Sequence, residues 1–138
     1  MVSTIAQHWI DTLVTGSPVG KKLSLSVSSS EIDAVTLTMP FSEDITTTPG
    51  VIHGGTLATL IDTAGAAASA SGVVEDDMAT GGATTHLAVS YLATARTNLE
   101  AAATVVHRTR TTTLTEVSVS DAQGRTVARG QVTSRIFH

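Results

Sequence analysis

Pro49-Gly50-Val51-Ile52-His53-Gly54-Gly55 runs straight into Thr56-Leu57-Ala58-Thr59-Leu60-Ile61-Asp62-Thr63-Ala64-Gly65-Ala66, and this stretch decides the fold. Over residues 53–71, Leu57, Leu60, Ile61, Ala64 and Ala68 recur at helical spacing with no interior proline, which predicts one long helix. Two glycines fall in its first turn, where backbone N–H groups lack intrahelical partners. Glycine lets a ligand come close to those amides, and the helix dipole favours negative charge there. Between residues 45 and 74 the only formally charged residue is Asp62. Its neighbours at helical spacing are Ala58, Thr59, Gly65 and Ala66, so no cation is within reach. Small groups on that face admit close approach by another backbone element. Asp inside a helix competes with the backbone for hydrogen bonds, and a carboxylate isolated among small groups points to chemistry.

Working outward, Ser3 or Thr4 caps a short N-terminal helix to about Val14, with Ile5, Trp9, Ile10 and Leu13 on one stripe. Gly16, Pro18 and Gly20 end it. Residues 21–28, with Leu23, Leu25 and Val27, and residues 34–39, with Val35, Leu37 and Met39, alternate as strands do. A loop covers residues 40–50. Beyond a second loop at 72–82 come four strand-like runs, roughly 83–92, 99–108, 112–120 and 126–135. Asp121-Ala122-Gln123-Gly124 reads as the hairpin turn between the last two. The order predicts an α+β fold, one antiparallel sheet packed against one long helix.

A chain of 138 residues fits a single domain, 1–138, with its own core. Charged residues are only 14% of it and hydrophobic ones 41%, which leaves part of the surface to Thr and Ser or to another subunit. A net charge of −4 leaves no footprint for nucleic acid. The absence of Cys removes disulfides, thiolate catalysis and Cys-ligated metals. Residues 1–16 have no basic n-region, and residues 51–74 are interrupted by His53, Asp62 and hydroxyls. Neither a secretory signal nor a membrane span is expected, and the cytoplasm is the expected location.

His8, His86, His107 and His138 show no metal-ligand spacing, and no Gly-x-Ser-x-Gly elbow is present. Glu75, Asp76 and Asp77 read as a solvated loop. Arg96, Arg108 and Arg110 follow one strand and end the next, where they are candidates to face an anionic ligand. The amides at Gly54 and Gly55 suit a phosphate or an oxyanion, but the Gly-Lys-Ser/Thr of a phosphate loop is missing. His53 and Asp62 are separated by roughly 13 Å along a helix and about 180° around it. One straight helix cannot bring both to one site. If they share one, the helix pairs with a second copy of itself across a two-fold axis.

Val51-Ile52-His53-Gly54-Gly55 followed by Leu60-Ile61-Asp62 resembles the signature of hotdog-fold acyl-CoA thioesterases, in particular the phenylacetate-degradation (PaaI-type) branch. Ala83-Thr84-Thr85-His86-Leu87-Ala88-Val89-Ser90-Tyr91-Leu92, then Ala95-Arg96, is similar to the strand after that family's long helix. The resemblance covers about residues 20–135. It implies an antiparallel sheet wrapped around a central helix, homodimers joined through one continuous sheet, and dimers pairing into tetramers. It also implies sites at the dimer interface. There the amide of Gly54, after His53, polarises the thioester carbonyl, and Asp62 of the opposite protomer activates water or attacks. The Thr84 hydroxyl holds the water.

Three positions depart from the family pattern. Thr47 stands where many relatives have Asn, Thr94 where Pro is common, and Thr109 where Gly separates the basic residues. Thr47, Gly55, Arg96, Arg108 and Arg110 are the expected substrate contacts. The expected activity is hydrolysis of an acyl-CoA to a free acid and CoA, with no metal or redox cofactor. A non-catalytic acyl-CoA-binding protein and a hydroxyacyl-thioester dehydratase are the alternatives.

Overall fold

From residue 99 onward Val, Ala, Leu and Thr recur at alternate positions, and the side chains at those positions are largely buried. The computed structural model describes residues 1–138. Three helices, α1 (Thr4–Trp9), α2 (Pro18–Lys22) and α3 (Gly54–Ser71), accompany six strands. The strands are β1 (Ser26–Glu31), β2 (Ala34–Met39), β3 (Gly81–Tyr91), β4 (Leu99–Arg108), β5 (Thr112–Ser120) and β6 (Thr126–Phe137). They form one sheet in the order β1-β2-β4-β5-β6-β3, with every pairing antiparallel.

The long helix α3 lies across one face of this sheet, as its apolar spacing predicts. Leu57, Leu60, Ile61, Ala64 and Ala68 are buried with Leu37, Met39, Val117, Val119 and Val132 in one core. Helix and sheet meet closely. A Cβ at Gly65 would lie 2.6 Å from Cβ of Val132, and one at Gly130 would lie 2.7 Å from Cγ2 of Ile61. Any larger residue at either point would wedge the two layers apart. The hairpin turn also falls where expected, with the Gly124 amide donating to the Asp121 carbonyl at 2.9 Å.

The first third of the chain needs three corrections. Residues 21–28 are not one strand. Ser17 caps α2 through its hydroxyl, Pro18 opens it, and β1 begins only at Ser26. The alternation of Leu23, Leu25 and Val27 spans a helix end, a turn in which Ser24 takes a positive φ of 54°, and the start of β1. The N-terminal helix does reach Val14, but its last turn, Ile10–Val14, is π-helical. Leu13, expected on the buried stripe, is exposed.

Both sheet edges, β1 and β3, are open. Nearly every residue of the eleven in β3 is exposed, Leu87 and Tyr91 among them. No helix is long and apolar enough to cross a membrane.

Candidate active site

His53 is the N-cap of α3, so the helix proper starts at Gly54. Its Nδ1 accepts the Gly55 amide at 2.8 Å, which puts the imidazole proton on Nε2. The entry to the helix is pinned from two sides: the Ile52 amide donates to Ala95 O at 2.8 Å and the His53 amide to Ile45 O at 2.9 Å. With Gly55 bonded to the imidazole, the Gly54 N–H is left with no acceptor in the chain. Tyr91, on the edge strand, donates its hydroxyl to the Gly54 carbonyl at 2.7 Å. Thr47 and Arg96 flank the same entry loop. The Thr47 amide donates to Val51 O at 2.9 Å, and the exposed Arg96 guanidinium lies beside Gly50.

Two turns further along, Asp62 is half-buried and points at the sheet. The Thr84 hydroxyl on β3 donates to its Oδ1 at 2.6 Å. No cation pairs with this carboxylate. Thr84 also borders an apolar cavity of about 210 Å³, whose other walls include Trp9, Leu13, Ala66, Ala70 and Val73. Ala66 and Ala70 follow Asp62 at helical spacing, so the carboxylate lies one turn before the cavity wall, and the small side chains beyond it keep the interior open.

Within one chain the site residues form two groups. Gly54, Gly55, His53, Thr47 and Arg96 gather at the helix start, and Asp62 and Thr84 stand about 12 Å along the helix. Arg108 and Arg110 join neither. The Arg108 guanidinium pairs with Asp33 at 2.8 Å and donates to the carbonyls of Ala68 and Ser69, at the far end of α3. Arg110 donates to the Asp77 carbonyl at 3.3 Å, in the loop beyond that end. Two contributors were not foreseen from sequence: Tyr91 as a partner of Gly54, and Trp9 as a cavity wall. The register shift between Thr84 and His86 on β3 was equally invisible.

Residues 49–128 match the Thioesterase superfamily. A protein of Halobacterium salinarum named as an esterase is 38% identical, over 83% of this chain and 82% of its own length. The chain belongs to the thioesterase superfamily, and ester or thioester hydrolysis is the activity that membership carries. A thioesterase family protein from Silicibacter pomeroyi superposes with a TM-score of 0.86 at 24% identity, covering 96% of this chain and 98% of that one. The Escherichia coli PaaI protein, from the phenylacetic acid degradation operon, superposes with a TM-score of 0.86 at 21% identity, covering 100% and 97%. The architecture is the hotdog fold.

Proposed function

We propose that this hydrolase cleaves acyl-CoA thioesters, and that each active site takes its oxyanion donor from one protomer and its carboxylate from another. The observation that carries this reading is the 2.6 Å bond to Asp62 from Thr84, a residue that lines an apolar cavity. That bond holds an unpaired carboxylate next to the space that a seated acyl group would fill. Water attacks the thioester carbonyl carbon, Asp62 takes the water's proton, and the carbonyl oxygen gains charge facing the free Gly54 amide. The C–S bond then breaks, and the CoA thiolate leaves and is protonated. Direct attack by Asp62, followed by hydrolysis of the anhydride, uses the same geometry.

The separation of Gly54 from Asp62 along the helix supports a dimeric site. So does β3, an open edge with exposed apolar side chains, which a second copy would pair and cover. Pairing of such dimers into tetramers is part of the same reading. Arg96, beside the helix entry, is the cation placed to meet CoA phosphates. Arg108 already has its charge matched by Asp33. The acyl group is of modest size: an apolar cavity of about 150 Å³ holds a benzene ring, so about 210 Å³ holds a ring with a short linker or a comparable alkyl chain.

Thiol release across aryl, short-chain and medium-chain acyl-CoAs tests this. Turnover is expected to peak at the substrates that fill the cavity. Asp62→Asn is expected to lower kcat by about a thousandfold while the protein still binds substrate. Near-normal kcat in that variant removes Asp62 from the mechanism. Tight binding of acyl-CoA without turnover by the wild type replaces the enzyme with a binding protein.

A further inference from the structure

Thr84 and Tyr91 are seven residues apart on β3, an odd interval that puts two side chains on opposite faces of a regular strand. Both nevertheless reach α3, one at Asp62 and the other at Gly54. The register shift between Thr84 and His86 accounts for this. Thr84 faces Ser134 and His86 faces Thr133, so Thr85 is an extra residue with no opposite number on β6. A bulge of that kind moves the side chains beyond it to the other face. One inserted residue therefore brings the end of the strand back onto the helix.

What Tyr91 holds is one half of a clamp. The Gly54 carbonyl and the Gly55 N–H belong to a single planar peptide unit. Its N–H donates to His53 Nδ1 at 2.8 Å and its oxygen accepts the Tyr91 hydroxyl at 2.7 Å. On the other side of Gly54, the His53 carbonyl accepts the amides of Thr56 and Leu57 at 2.9 and 3.2 Å. Gly54 thus sits between two fixed peptide planes, although glycine by itself rotates almost freely. Its N–H lies in the first of these planes, with the His53 carbonyl, and is left unpaired. The ring also fits this residue, since a Cβ at position 54 would lie 3.3 Å from Cζ of Tyr91.

We infer that Tyr91 is a positioning residue: its hydroxyl fixes the 54–55 peptide, and by restraining rotation about the Gly54 Cα it helps hold the adjoining 53–54 plane, whose Gly54 N–H faces the developing oxyanion. This rests on the hydrolase reading of the same site. A donor aimed in advance stabilises the transition state without reorganising during the reaction, so the hydroxyl acts on kcat and leaves substrate affinity alone.

The test is Tyr91→Phe in the full chain, which keeps the ring and removes the hydroxyl, with two readouts. Without substrate, amide hydrogen exchange at Gly55, followed by NMR, is expected to speed up by about tenfold, the effect of losing one ordinary hydrogen bond. On the best acyl-CoA substrate, kcat is expected to fall by about tenfold with KM within about twofold and the shape of the pH profile unchanged. Unchanged exchange at Gly55 overturns the clamp whatever the activity. Faster exchange with unchanged kcat, or with a change in KM alone, overturns the positioning role. A wild type that hydrolyses no acyl-CoA overturns the hydrolase reading and the positioning role with it, while the exchange measurement still decides the clamp.

Discussion

The two ends of α3 are built on opposite plans. At the C-terminal end the chain satisfies the helix itself. Arg108 donates to the carbonyls of Ala68 and Ser69, and the Ser71 hydroxyl donates to Ala68 O at 2.6 Å. Ser71 accepts the Asp33 amide in turn, and Thr113 donates to the Ser69 hydroxyl. A guanidinium beside the last carbonyls of a helix is also the favourable sign for that end of the dipole. At the N-terminal end no acidic residue occupies the first turn, and the Gly54 amide has no acceptor in the chain. One end has been closed by groups from β4, β5 and the turn between β1 and β2; the other has been shaped and left open. An anion is what an open helix N-terminus accommodates, and in a thioesterase the anion is the tetrahedral oxygen.

The largest effect that can break this contrast concerns which chain supplies the second half of the open site. Asp62→Ala and Gly54→Pro are each expected to abolish turnover, the latter because Pro removes the amide yet fits a first helical turn. Exchanging the two inactive homodimers makes one intact site in each mixed dimer. With about half the dimers mixed, activity is expected to return to about a quarter of wild type. Verified exchange with no recovery would overturn the cross-protomer site.

Much of this is legible in the sequence. Periodicity exposes α3 because its buried face is continuous, and isolation exposes Asp62 because nothing nearby explains a charge. The runs that became β2, β4, β5 and β6 were also correct, since one face of each is buried and the other is not. Residues 21–28 misled for a physical reason: Leu23 and Leu25 are two apart in a helix end and a turn, where the same spacing has a different cause. The partnership of Tyr91 with Gly54 was illegible because it depends on an unpaired Thr85. A strand read with strict alternation places Tyr91 on the wrong face. Arg108 was misleading in another way. Sequence shows that it is a cation near two others, but only the fold brings it to Asp33 and the helix carbonyls.

Arg108 gives the next test, at the closed end. Arg108→Met keeps much of the aliphatic stem and removes three charge-assisted bonds, leaving Asp33 without its partner. Side-chain hydrogen bonds to charged groups are worth about 1.5–3 kcal/mol. A stability loss of about 2 kcal/mol is expected, read as a lower midpoint in urea unfolding. Below the unfolding transition, kcat and KM are expected to stay near wild type. An unchanged midpoint with a raised KM for CoA esters would return Arg108 to the ligand-binding role that the family resemblance implies.

The smallest effect sharpens the contrast most, because one chemical change can be made at both ends. Thr84, Ser134 and Thr113 form one row across β3, β6 and β5. Thr84 donates to Asp62, and Thr113 donates to Ser69 at 2.7 Å. Thr→Val is nearly isosteric, so each substitution deletes a hydroxyl and little else. Thr113 is fully buried, and Thr113→Val leaves the Ser69 hydroxyl without its donor. The expected cost is about 1 kcal/mol of stability with kcat unchanged. Thr84 is exposed in the single chain, so Thr84→Val is expected to leave the unfolding midpoint alone. Its effect should fall on kcat, about tenfold, because the carboxylate loses the bond that orients it. The two variants should therefore separate cleanly on a plot of stability against kcat. If both moved along the same axis, the two ends of α3 would be one structural unit, and the division between a closed end and an open one would not hold.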